Sequence, residues 1–221
     1  MIRFHQFDWS PYCLVVRGIL EAGGAPFRVV DVPLNDRSSI WRLTKERYYQ
    51  VPVIQDGKNV LFETSPDSQV LAKYLDSKFG FGLFPREWEG VQPLLWRFFE
   101  NDVEDVAFRL NDIHWKEFVP RKEQCGFLRH KERRFGRGCL EAWRVGEAGL
   151  LGDLERLLAH PEEMLATRDF LLCDRPVFVD FCLRGMLANF LYSGHYVIPE
   201  SRPRLRAWMD RMKSVKLRHL A

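Results

Sequence analysis

Three short stretches of the chain carry side chains whose type and spacing can do chemistry. The first is Ser10-Pro11-Tyr12-Cys13, where an apolar strand-like run gives way to a helical pattern. Ser10 is a good N-cap, and Pro11 at the first helical position needs no amide hydrogen. Free amides and the positive end of the helix dipole stabilise an anion there, and a bound thiolate is one candidate. A serine hydroxyl aimed at such a thiolate donates a hydrogen bond to its ionised form. Cys13, one turn in, is the alternative: a thiol whose own pKa is depressed by the same helix end. A plain capping pair followed by a small buried cysteine accounts for the tetrapeptide equally well.

The second stretch is Gln50-Val51-Pro52-Val53. A proline entering a strand belongs at an edge or in a special turn. A cis Val51-Pro52 bond leaves the main chain of Val51 free to pair with an extended peptide laid beside it. A trans proline at a strand start is the simpler reading. In the third, Ser65-Pro66-Asp67-Ser68, Ser65 caps a helix, the Ser68 amide is placed to bind a carboxylate and Asp67 to accept an ammonium. Again, an ordinary polar helix start has the same composition.

These stretches sit at the joints of an alternating pattern. Ile2 to Phe7 and Phe27 to Val32 read as strands. Val53-Ile54 and Val60-Leu61-Phe62 flank Gln55 to Asn59 as a hairpin. Helical signals run from Pro11 to Gly23, weakly from Asp36 to Tyr49, and from Asp67 to Lys78, giving the order βαβαββα. Phe79 to Pro85 lies in a linker. Beyond it strand signals fade, and Leu95, Phe99, Val103, Val106, Leu110 and Ile113 recur at helical steps on one apolar stripe. Further helices are expected at 122–130, 139–159, 161–166, 179–191 and 202–215. The expected division is 1–78, a linker at 79–90, and an all-helical part at 91–221.

Gross composition narrows the class. With 46% hydrophobic and 29% charged residues over 221 positions, the chain can bury a core. A net charge of +3 is too mild to argue for nucleic acid. There is no apolar run of about 18 residues, so no membrane span is expected, and the start does not read as a secretion signal. Five scattered cysteines suit reduced thiols better than a disulfide framework. Neither they nor the six histidines show metal-ligand spacing, and no metal is expected.

Taken in order, the three stretches resemble the glutathione transferase superfamily over nearly the whole chain. Ser10-Pro11-Tyr12-Cys13 with Val16-Arg17 is similar to the first-helix motif of the serine- and cysteine-using classes, with Ser10 on the catalytic position. Val51-Pro52-Val53 matches the cis-proline segment, and Gln50 falls where a side chain often reaches the glycyl carboxylate. Asp67-Ser68, seven residues before Tyr74-Leu75, matches the pair that holds the γ-glutamyl group. Phe170 to Asp174, Pro176 to Phe181 and Pro203 to Trp208 resemble segments of the helical domain. Val177 stands where the family usually has Ser or Thr, and Tyr48-Tyr49 where it often has Pro-Gly.

The resemblance implies an α/β thioredoxin-like N-terminal domain and an all-α C-terminal domain. It also implies glutathione as co-substrate, held by Ser10, Tyr12, Gln50, Val51, Pro52, Asp67 and Ser68. A small apolar electrophile is the expected second substrate, in a cytoplasmic homodimer. Two other activities fit the same scaffold: glutathione-dependent thiol transfer through Cys13, and a non-catalytic binding or interaction protein. The basic run Arg129 to Arg137 reads as a solvated face or as intramolecular pairing, with an entrance for acidic substrates as the alternative. Trp96, Phe98, Phe99 and Trp115 read mainly as core, with some of them available to an apolar pocket beside Ser10.

Overall fold

A computed structural model describes residues 1–65 and 68–217 of the chain. Four strands form one sheet in the order β2-β1-β3-β4, where β1 is Ile2–Gln6, β2 Phe27–Asp31, β3 Val53–Asp56 and β4 Asn59–Phe62. β1 and β2 are parallel, so their connection has to be a crossover. Helix α1 (Pro11–Ala22) supplies it. β3 runs antiparallel to both β1 and β4, and Gly57, at φ +60, makes the tight turn between the hairpin strands. The β1 residues Phe4 and Ile2 and the β3 residues Val53 and Ile54 are buried, so the sheet is covered on both faces.

The second helix is shorter than its expected span of Asp36 to Tyr49. α2 covers only Ser38–Leu43, and Lys45 and Glu46 then adopt positive φ angles of 54° and 62°. Thr44 explains the break. It is fully buried, accepts a hydrogen bond from the Tyr48 amide at 3.1 Å and lies 2.6 Å from the Tyr48 carbonyl, closing a loop that a continuing helix would open. α3 (Val70–Phe79) begins three residues later than its expected Asp67 start and ends on Gly80, which is left-handed.

The C-terminal part is helical. α4 (Gln92–Phe98) passes through one π-turn at Phe99–Val103 into α5 (Glu104–Ile113), so the long apolar stripe runs along one continuous helical rod. α6 (Trp115–Phe118) and α7 (Gln124–Phe135) follow. The expected helix 139–159 is broken at Gly146 into α8 (Cys139–Val145) and α9 (Glu147–Leu157). α10 (Ala159–Met164), α11 (Phe178–Phe190) and α12 (Pro203–Ser214) complete the chain. Among the described residues no helix is long and apolar enough to cross a membrane.

α11 is the hub of this half. Its first turn is closed by Asp180, whose carboxylate accepts the Val177 amide at 3.0 Å and the Leu171 amide at 2.9 Å. The Trp208 indole of α12 donates to the same carboxylate at 3.0 Å. Asp180 is completely buried, so these donors replace water. Valine at 177 supplies no side-chain oxygen, but its carbonyl accepts the Asp180 amide at 3.0 Å and the turn closes regardless. α11 also packs along α1 and thereby fixes the helix whose start carries Ser10.

Candidate functional site

The turn from β1 into α1 places Ser10. Its amide donates to the Phe7 carbonyl at 3.2 Å, and Asn189 of α11 donates to the Trp9 carbonyl at 2.7 Å. Extended backbone at Ser10 (φ −65°, ψ 125°) turns its hydroxyl over the helix start, where Oγ accepts the Cys13 amide at 3.5 Å. Acting as acceptor leaves the hydroxyl hydrogen available to a group in front of it. Tyr12, one residue into the helix, is 41% exposed. Its phenol is held in the protonated form by burial of the ring edge and by Glu104 and Glu100 nearby.

Cys13 departs from its expectation. The side chain is fully buried in the core, and burial pushes the thiol up to about 12 despite the Ser10 contact and the helix end. The side chain faces the core, where loss of water outweighs the dipole. Cys13 is not a poised thiolate.

Beside Tyr12 opens a cleft of about 650 Å³. Its floor holds Val51 and Pro52, joined by a cis peptide bond. Among the described residues, neither the amide nor the carbonyl of Val51 has a hydrogen-bond partner, although the next residues enter β3. Gln50 is exposed on the same wall, and Arg47 lies over the Phe62 ring at 5.4 Å, which in turn stacks on Tyr48. Extended peptide backbone, a free amide–carbonyl pair and a cation at one end make this cleft suited to a short acidic peptide.

At the other end of the cleft the arrangement differs from expectation. Pro66 and Asp67 lie outside the described residues. The Ser68 amide donates to the Ser65 carbonyl at 3.1 Å, and its hydroxyl lies 2.6 Å from Glu63. The amide therefore does not face a ligand. Instead the Glu63 carboxylate covers the start of α3, accepting the Val70 amide at 2.7 Å and the Leu71 amide at 3.1 Å. An acid six or more residues ahead of a helix is outside the usual capping spacing, so the sequence alone did not single out Glu63. Ser65 and Gln69 line the cleft, and Gln69 donates to Glu100 at 2.9 Å.

Ser10 itself faces a smaller adjoining cavity of about 160 Å³. Tyr12 and Arg134 line both spaces and form the partition between them. The small cavity is charged. Lys131 pairs with the buried Asp112 at 2.5 Å, and Arg37 and Arg134 add two further cations. Burial pushes the Glu104 carboxyl up to about 7, against the pull of Lys131 and Arg134. Thus Lys131 and Arg134 of the basic run line the cavity, and Lys131 shows the intramolecular pairing expected of that run as an alternative to a solvated face. The aromatic rings beside Ser10 are Phe7, Trp9, Phe108 and Phe127. Trp96, Phe99 and Trp115 are core residues, and Phe98 lies on a separate apolar groove.

Known proteins share this architecture. The family described as "Glutathione S-transferase, N-terminal domain" matches residues 4–86, and "Glutathione S-transferase, C-terminal domain" matches 132–211. A rice protein (Oryza sativa subsp. japonica), "Probable glutathione S-transferase GSTU6", is 26% identical over 210 residues, covering 93% of this chain and 81% of that protein. The crystal structure of glutathione transferase GSTFuA3 from Phanerochaete chrysosporium superposes with a TM-score of 0.81 at 20% identity, covering 99% of this chain and 98% of the other. Glutaredoxin 2 from Salmonella typhimurium, solved in complex with glutathione, gives a TM-score of 0.75 at 18% identity, covering 98% of this chain and 96% of that one. With both halves matched in order and the cis-proline cleft between them, the chain belongs to the glutathione transferase superfamily.

Proposed function

We propose that the chain binds reduced glutathione in the larger cleft and conjugates it to a small apolar electrophile, with Ser10 as the catalytic hydroxyl. The observation that carries this reading is the unpaired main chain of Val51 beside cis Pro52, on the floor of a cleft that adjoins, across Tyr12 and Arg134, the cavity Ser10 faces. The cysteinyl part of the tripeptide pairs with Val51. Gln50 and Arg47 stand at the end that suits the glycyl carboxylate. The γ-glutamyl end lies toward Glu63, Ser65 and Gln69, which line the cleft near the start of α3.

The thiol loses its proton to solvent, and the Ser10 hydroxyl, already accepting from Cys13, donates its hydrogen to the thiolate. Lowering a thiol pKa from about 8.5 to between 6 and 7 takes about 2–3 kcal/mol of preferential thiolate binding. One hydrogen bond to a charged group together with the helix end supplies that much. Excess cationic charge around the cavity acts in the same direction. The sulfur electron pair then forms the new S–C bond, and the leaving group departs with its own pair. Aromatic rings beside Ser10 suit an apolar electrophile. A homodimer in the cytoplasm completes the reading, on family grounds.

The test is a calorimetric titration of the full chain with reduced glutathione, followed by conjugation of an aryl halide. Saturable binding with turnover is the expected result. A folded chain that binds glutathione without turning over electrophiles is a binding protein, and one that binds none has a different ligand.

A further inference from the structure

A second cluster of chemistry-bearing side chains lies away from the glutathione cleft, where the corner between α5 and α6 meets the segment linking α11 to α12. His114 occupies the corner, Glu117 follows one turn later on α6, and His195 comes from the linking segment. One ligand atom from each, a ring nitrogen or a carboxylate oxygen, lies within 4.8 Å of the other two. Sequence spacing hides this set, because His195 is separated by 78 positions from Glu117.

The hydrogen bonds around His114 decide which of its nitrogens is free. Tyr196 donates its hydroxyl hydrogen to Glu147 at 2.7 Å. Its oxygen is therefore left to accept from His114 Nε2, at 3.1 Å. With the proton on Nε2, the neutral imidazole turns a bare Nδ1 lone pair toward Glu117 Oε1 at 3.6 Å. Two acceptors facing each other in this way leave a place for a cation. Tyr196 and Glu147 supply the outer hydrogen-bond support that holds a metal-binding imidazole in one tautomer. On the other side, His195 Nε2 lies 2.8 Å from Glu117 Oε2. The nearby Arg144 guanidinium is turned to the Ile113 carbonyl at 2.7 Å.

We propose that His114 Nδ1, Glu117 and His195 Nε2 bind one divalent transition-metal ion of the zinc class, pinning the segment between α11 and α12 to the α5–α6 corner. Two imidazoles and one carboxylate are a borderline donor set, which suits zinc over calcium or magnesium. At zinc–ligand distances of about 2.0–2.2 Å, tetrahedral donors stand roughly 3.3–3.6 Å apart. His195 Nε2 stands 2.8 Å from Glu117 Oε2 and His114 Nδ1 3.6 Å from Glu117 Oε1, so each imidazole is already near one oxygen of the shared carboxylate. The two imidazole rings are stacked at 3.6 Å and 10°, so one must turn before both point at a common ion. His195 is the one able to do so: its side chain is 43% exposed, against 14% for His114. Its single ring proton moves through solvent from Nε2 to Nδ1 as Nε2 takes the metal. Water completes the coordination.

The experiment is titration of the metal-free full chain with Co²⁺, read by its visible absorption, and with Zn²⁺, read by calorimetry, both without glutathione. A Cys125→Ser background removes the exposed thiol as a competing ligand. One equivalent is expected to bind, and Zn²⁺ is expected to raise the melting temperature. His195→Ala, at an exposed position, should weaken binding at least tenfold and abolish the thermal shift, and Tyr196→Phe should weaken it about tenfold through the outer contact. Affinity unchanged in His195→Ala, or no saturable binding by the folded chain, overturns the proposal.

Discussion

Gly185 of α11 lies directly against Val15 of α1. A methyl group at position 185 would stand 2.3 Å from Val15 Cγ2, 2.8 Å from the Val15 amide nitrogen and 2.9 Å from the Pro11 carbonyl. Two of those neighbours are main chain and cannot rotate away. The close approach is what lets the helical half of the molecule grip the helix that begins at Ser10.

Gly185→Ala should therefore separate α1 from α11. Overpacking costs about 1–3 kcal/mol, and the better helix propensity of alanine returns about 1 kcal/mol of it. A net loss of up to about 2 kcal/mol in chemical denaturation is expected, together with weaker turnover because Ser10 rides on the displaced helix. Stability equal to that of the parent chain would mean that the two helices are free to part.

Ser10→Ala should lower turnover by about 10- to 100-fold, which corresponds to losing a hydrogen bond to a charged group. Glutathione affinity should stay within a few-fold, because the Val51 main chain and the acidic-peptide end of the cleft are untouched. Loss of the N-cap adds a stability cost near the low end of the usual 0.5–2 kcal/mol, the cap contact being long at 3.5 Å. Steady-state kinetics beside calorimetry separates the two effects. A variant with full turnover removes Ser10 from the mechanism.

Glu63→Ala should unfasten the start of α3. The carboxylate holds the Val70 and Leu71 amides, so both should exchange with solvent deuterium faster, at a stability cost of about 1–2 kcal/mol. Glu63→Gln keeps one acceptor oxygen and should fall in between. Unchanged exchange at Val70 and Leu71 would show that the cap is not Glu63.

Glu104 makes stability depend on pH. Its carboxyl sits at about 7 in the folded chain, raised from 4.5 by burial. Between those values the folded state holds more protons than the unfolded state, so stability falls as pH rises through the window. At pH 8 the ionised carboxylate is a burden of about 1–3 kcal/mol, reduced by its partial exposure. Glu104→Gln should be the more stable protein at pH 8 and should flatten the slope of melting temperature against pH between 5 and 7. An unchanged slope would place the titration elsewhere.

Local pattern and cap chemistry determined much of this protein. Alternating strands, the Ser10-Pro11 helix start and the apolar stripe from Leu95 to Ile113 are consequences of spacing within a few residues, and each is read without knowing what packs against it. Tertiary structure decided whatever depends on which way a side chain faces. Cys13 was a candidate thiolate by position, yet the core swallows it and its thiol is pushed up to about 12. α2 stops early because buried Thr44 ties back the chain at Tyr48, and no periodicity encodes that tie. The start of α3 is covered by Glu63, seven positions ahead of Val70, and Lys131 and Arg134 of the basic run line the Ser10 cavity. His114, Glu117 and His195 meet only because two segments far apart in the chain are folded onto one corner. Periodicity reports which face of an element is apolar; burial, partner distance and the direction of a lone pair arise only when elements are packed together.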